Sequence, residues 1–184
     1  MTGLLGRVAS AWALAGGLVL LAIMAVTTAN VAGFAADRVA RPFGGSVSGL
    51  PGYEDFVRLA VSGAALMFLP WCQHRRGHVR VELFGALLPP ALTRALDRLW
   101  LAALAGLALF LAWWMAQGLA ETRADGALSP VLGWPQWPFY APGIVSLVLW
   151  ALVAGWQAAT GEGAGEGAGD AGAELEGRGA EADA

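Results

Sequence analysis

The chain has 184 residues, of which 57% are hydrophobic and 14% charged. Soluble domains run at about 45–50% apolar and about 25% charged, so an ordinary soluble enzyme domain is excluded as the starting point, and the lone Cys72 excludes a disulfide scaffold. The net charge of -3 joins two unlike parts: residues 161–184 hold seven acids against Arg178, and the rest of the chain holds ten Arg against seven acids.

A helix rises 1.5 Å per residue, so about 20 residues cross a hydrocarbon core of about 30 Å. Between Arg7 and Asp37 lie 29 uncharged residues, which predicts a first transmembrane helix over about 9–34. The apolar core of a secretory signal is about 7–15 residues long, roughly half this run, so the run is read as a retained span. Residues 59–73 are an uncharged stretch of only 15. They become a span if the helix starts at Tyr53, with Glu54 pairing to Arg58 at i,i+4; the second helix is expected over 53–73. Between Arg98 and Glu121 lie 22 uncharged residues, predicting a third helix over 97–120. No charge occurs from Gly126 to Gly161, but Pro130, Pro135, Pro138 and Pro142 interrupt the first half, leaving a fourth helix over 141–160.

The fold class is therefore an all-α membrane protein, with four transmembrane helices in residues 1–160. The acidic Gly- and Ala-rich tail at 161–184 is too poor in apolar residues to fold. Helices meet in lipid through small residues. Ala9, Ala13 and Gly17, then Ala102 and Gly106, then Ala151, Gly155 and Ala159 carry that spacing and together are expected at helix contacts.

Four spans place Arg7, Arg75, Arg76, Arg80, Arg94 and Arg98 on one side, and Arg38, Arg41, Arg58 and Arg123 on the other. Arginine-rich short loops stay cytoplasmic, so the N-terminus, the central loop and the tail are expected in the cytoplasm of a bacterial cell, with the chain multi-pass in its inner membrane. Trp12, Trp71, Trp100 and Trp156 fall near that side, and Trp113, Trp114, Trp134 and Trp137 near the other with Tyr53 and Tyr140, as interfacial belts require. Trp150 fits neither belt.

The central loop, 74–98, reads HRRGHVRVELFGALLPPALTRALDR. Val79, Leu83 and Leu87 share one helical face with Phe84 and Leu88 beside them, while Arg80 and Glu82 face elsewhere. This predicts a short amphipathic helix in the headgroup region between the second and third spans, stopped by Pro89 and Pro90, with a new helix from Ala91. Three readings stand for this segment. Cys72, His74 and His78 offer soft metal ligands but lack a fourth; the arginines suit anionic lipid; the whole segment suits docking to a larger membrane protein.

Residues 75–97 resemble the signature of the small permease subunit, DctQ-like, of tripartite ATP-independent periplasmic (TRAP) transporters. Gly77, His78, Val79, Val81, Glu82, Leu88 and Pro89 fill its positions, with Glu82 where the family commonly has Asp. Chain length, four spans and an acid at the start of the second span (Glu54) are similar too, over about residues 8–158. The resemblance implies a large multi-span permease subunit as partner, carrying the substrate and sodium sites. It also implies a periplasmic solute-binding protein that delivers an organic acid such as a C4-dicarboxylate or a sialic acid. The small subunit is implied to be a non-catalytic scaffold.

Candidate interface residues are Arg76, Gly77, His78, Arg80, Glu82 and Pro89 in the loop, and Glu54 and Arg58 at the second span. His78 and Glu82 are four apart and share a helix face; with Arg76 they are expected to tie the loop helix to a neighbour, or else to form a solvated face. An ion-coupled transporter needs ionisable or unwound polar elements near the midplane, and the middles of these spans hold only Thr27, Thr28, Asn30, Ser62 and Ser146. No catalytic, cofactor or metal site is expected, and no nucleic-acid partner. The alternative function is a stand-alone four-helix exporter or membrane assembly factor.

Overall fold

The computed structural model describes residues 2–75 and 90–161. The expected amphipathic loop helix and the acidic tail beyond Gly161 lie outside the described residues. Five α-helices occupy the rest: α1 (Thr2–Ala40), α2 (Tyr53–Leu66), α3 (Leu69–His74), α4 (Pro90–Ala124) and α5 (Ala141–Thr160). Among the described residues, four helical segments are long and apolar enough to cross a membrane, α2 and α3 together forming one of them.

The boundaries follow from proline and length. The helix α1 has 39 residues, about 58 Å. It outruns the expected 9–34 at both ends because good helix formers continue until Pro42, which lies in a 3-10 turn over Arg41–Phe43. The second span, expected as one helix, is two. Pro70 has no N–H for the Leu66 carbonyl and its ring crowds that carbonyl. The chain therefore turns at Met67 and Phe68 before α3 resumes, with Cys72 N–H donating to the Phe68 carbonyl at 2.9 Å. Pro90 opens α4, where a fixed φ and a missing N–H suit the first helical turn. The bounds of α5 are those expected.

The helices lie side by side in the order α1, α2–α3, α5, α4. The tightest packing is between antiparallel α4 and α5, where Ala108 and Ala112 leave room for Leu147, Trp150 and Ala151. Small residues on one helix against bulky ones on the next give close contact without voids. Trp150, which fits neither interfacial belt, belongs to this core.

The small-residue expectation is corrected in phase. Ala9 and Ala13 are buried, but the close approach to α2 is at Gly16, where an added Cβ would lie 2.8 Å from the Met67 Cβ. Gly17, Gly106 and Gly155 have nothing within 4 Å of a built Cβ, and Ala102 and Ala159 are exposed. Every fourth position was small on more than one face of these Ala-rich helices, and bulky neighbours chose which face packs.

Candidate functional site

Polar groups inside an apolar bundle are costly unless bonded, so each buried one shows what the bundle is built to hold. At the end of the bundle that carries Arg7, His74 and Arg98, Gln73 of α3 meets Gln157 of α5. Gln73 Nε2 donates to Gln157 Oε1 at 2.8 Å, and Gln157 Nε2 donates back to the Gln73 carbonyl at 3.1 Å. Trp150 Nε1 donates to Gln73 Oε1 at 3.2 Å. The Gln73 carbonyl lies in the last turn of α3, where carbonyls lack helical donors. This cluster fastens the second span to the fourth.

Further along, Trp12 of α1 donates its indole N–H to Ser146 Oγ at 2.9 Å, and the Ser146 hydroxyl donates to the Pro142 carbonyl at 2.6 Å. Trp12, expected at an interface, thus also joins the first span to the fourth.

The opposite end carries the two connecting segments, 41–52 and 125–136. Asp55 is buried in the first turn of α2, and its Oδ2 accepts the Val131 and Leu132 N–H groups, each at 2.8 Å. A carboxylate in a first helical turn is also favoured by the helix dipole. Gly52 precedes it at φ +79, and the Leu132 side chain packs where a Cβ would stand, so both conformation and space require glycine there. Asn30 Oδ1 accepts the Leu50 N–H at 3.0 Å, which pins the first connection to α1. A cleft of about 330 Å³ opens beside these bonds, lined by Asn30, Phe34, Leu50, Tyr53, Glu54 and Val131 among others.

Of the sequence-predicted site residues, Arg76, Gly77, His78, Arg80, Glu82 and Pro89 lie outside the described residues. Glu54 and Arg58 are both exposed at the start of α2, and no ion pair joins them; the pair expected at i,i+4 is not formed. An ion pair instead joins Arg41 to Asp37 at 2.7 Å. The neighbour of Glu54, Asp55, is the acid that works structurally, and Gln73 and Gln157 were likewise not singled out from sequence. Of the polar residues that were, Asn30 and Ser146 are buried and bonded, whereas Thr28 and Ser62 are exposed. Cys72 is half-buried with a free thiol, and His74 packs on Gly6 at the start of α1. Among the described residues no group of three His, Cys, Asp or Glu side chains could hold a metal ion.

Among the described residues, no buried side-chain nitrogen or oxygen lacks a hydrogen-bond partner. Four apolar spans whose interior polar groups bond helix to helix define a multi-pass membrane protein. Residues 23–161 match the family described as "Tripartite ATP-independent periplasmic transporters, DctQ component". The chain belongs to that family and is the small membrane component of a TRAP transporter, multi-pass in the inner membrane. No curated protein matches it significantly, and no solved structure does.

Proposed function

We propose that this subunit transports nothing itself and acts as a membrane scaffold for the large permease subunit. That partner moves an organic acid, such as a dicarboxylate, on an ion gradient, with a periplasmic solute-binding protein delivering the substrate. The observation that carries this reading is that, among the described residues, every buried polar side chain is bonded within the chain. Gln73, Gln157 and Ser146 bond other residues of this bundle, and among the described residues no buried side-chain nitrogen or oxygen is left without a partner to coordinate an ion or a substrate. Transport sites need such groups near the midplane. Membership in a family of transporter components supports a non-enzymatic role.

The termini lie in the cytoplasm and the segments 41–52 and 125–136 in the periplasm. Arg7, Arg75, Arg94 and Arg98 gather at the first end, which supports that orientation through the positive-inside rule. Arg76, Gly77, His78, Arg80, Glu82 and Pro89 meet the large subunit at the cytoplasmic surface, and Glu54 and Arg58 anchor α2 at the periplasmic one.

Affinity purification of the tagged chain from cells that co-express the large subunit tests the reading. Co-purification is expected, and it is expected to weaken with His78→Ala and Glu82→Ala together. A wild-type chain that purifies alone and produces flux in liposomes supports the exporter reading instead.

A further inference from the structure

The two ends of the bundle differ in charge. At the end where α1 begins and α5 finishes, six Arg stand against Glu82 and Asp97. At the other end four Arg stand against five acids. Among the described residues no ion pair joins an acid to Arg7, Arg75 or Arg98, and all three are exposed. The segment that follows α5 has the complementary charge: residues 162–184 hold seven acids and one Arg.

The root of this segment is held among those arginines. The helix α5 packs between α3 and α4, and the Gln73–Gln157 bond sets the ends of α3 and α5 level. Arg75, the C-cap of α3, follows Gln73 by two residues, and Gly161, the C-cap of α5, follows Gln157 by four. Gly161 turns the chain at φ +66, with its N–H on the Gln157 carbonyl at 3.0 Å. The Arg98 guanidinium lies against it, 2.9 Å from where a Cβ would stand, beside a carbonyl end that favours a cation. On the far side of α3, His74 packs on Gly6, next to Arg7. The chain thus leaves the bundle at one arginine, with two more on the helix ends to one side. Glu162, Glu166, Asp170 and Glu174 then recur at every fourth residue, with only Gly and Ala between them. An extended chain spaces such acids by up to about 13 Å, and packed helices lie about 8–10 Å apart. Successive acids therefore reach successive helix ends. Tethering over so few residues gives them an effective concentration on the order of millimolar.

We propose that the acidic segment 162–184 folds back over the arginine end of its own bundle, with its acids on Arg98, Arg75 and Arg7. There it occupies positions that anionic lipid headgroups would otherwise take, so the chain carries its own competitor for them. The opposite end lies across the bilayer and has no positive excess to attract it. The proposal goes beyond the small-subunit reading and holds whichever side of the membrane this end faces. The contact weakens with salt, because exposed charges are screened over about 8 Å at about 0.15 M and about 3 Å at about 1 M.

The chain has no Lys, and carbodiimide couples carboxylates to amines but not to guanidinium groups. The test makes Arg98→Lys, Arg75→Lys and, at the opposite end, Arg123→Lys singly in the full chain. Each variant is coupled in neutral-detergent micelles as an equal mixture of light and heavy-isotope protein, and again in the complete transporter. Mass spectrometry is expected to find positions 98 and 75 joined to Glu166, Asp170 or Glu174 of the same chain, and position 123 joined to none of them. Raising salt from about 0.1 M to about 1 M should lower that yield about fivefold or more. Coupling of position 98 to Asp97 or Glu162 alone overturns the proposal, as does a yield indifferent to salt or coupling of the segment to position 123. Mixed-isotope peptides, which reveal a second copy, also overturn it, as does coupling of positions 98 and 75 to the large subunit in place of the segment. As a second arm, Glu162→Gln, Glu166→Gln, Asp170→Asn and Glu174→Gln are combined in the full chain. This variant is expected to retain about twice as much phosphatidylglycerol as the wild type, or more, through purification in neutral detergent, read as phosphorus per protein. Equal or lower retention overturns the competition. All variants are expected to keep wild-type circular dichroism.

Discussion

Replacing Gln157 with Leu removes the side chain that links the fourth span to the second. Two hydrogen bonds go: Gln73 Nε2 to Gln157 Oε1, and Gln157 Nε2 to the Gln73 carbonyl. Hydrogen bonds between membrane helices contribute about 0.6 kcal/mol on average and at most about 1.7. The Gln73 amide, 2% exposed, then faces leucine, and a stranded buried donor costs about 1–3 kcal/mol. The loss is expected at about 1–3 kcal/mol, a fivefold to 150-fold shift in the folding equilibrium. The assay is reversible unfolding of the purified chain in mixed micelles of rising dodecyl sulfate content, followed by circular dichroism. Gln73→Leu and the double variant complete a cycle. The double variant should lose less than the sum of the singles, because two leucines facing each other leave no stranded amide between them. Single variants that cost nothing, or costs that add in full, would refute the view that this cluster locks α3 to α5.

Gly16→Ala should destabilise the same transition, because its Cβ would stand 2.8 Å from the Met67 Cβ, whereas Gly106→Ala, with open space around it, should be neutral or gain about 0.5–1 kcal/mol from helix propensity. Ala108→Phe forces a ring into the contact with Leu147 and Trp150 and should cost about 1–3 kcal/mol; an unchanged midpoint would mean that α4 and α5 pack elsewhere. Asp55→Asn puts an amide where Oδ2 accepts two N–H groups, and hydrogen exchange at Val131 and Leu132 should quicken by about tenfold or more through local opening. Exchange at wild-type rates would show that the 125–136 segment is held by something else.

The spans were legible because an uncharged run is a direct measure of hydrocarbon thickness; the fourth helix begins and ends as expected. Pro70 was visible in the second run, but the length arithmetic needed the whole run to cross the bilayer and gave no reason to divide it. Small residues at every fourth position were legible as spacing and not as phase, since the helix period does not say which face meets a neighbour. Glu54 and Asp55 are adjacent, one helical step of 100° apart, and only the placement of the 125–136 segment decides which of them is buried. Gln73 and Gln157 stand 84 residues apart in sequence, and nothing local to either announces the other. The loop signature that carries the family resemblance lies outside the described residues, so its six candidate contacts remain proposals, to be tested in the complex with the large subunit.

The central claim is that the chain supports a transporter without transporting. Radiolabelled organic-acid uptake into proteoliposomes under a sodium gradient, with the binding protein outside, measures this directly in three preparations: chain alone, large subunit alone, and both together. The account predicts uptake only when both are present, with the chain alone at the level of empty liposomes. Gradient-driven flux through the chain alone, or full uptake by the large subunit without it, would contradict the account.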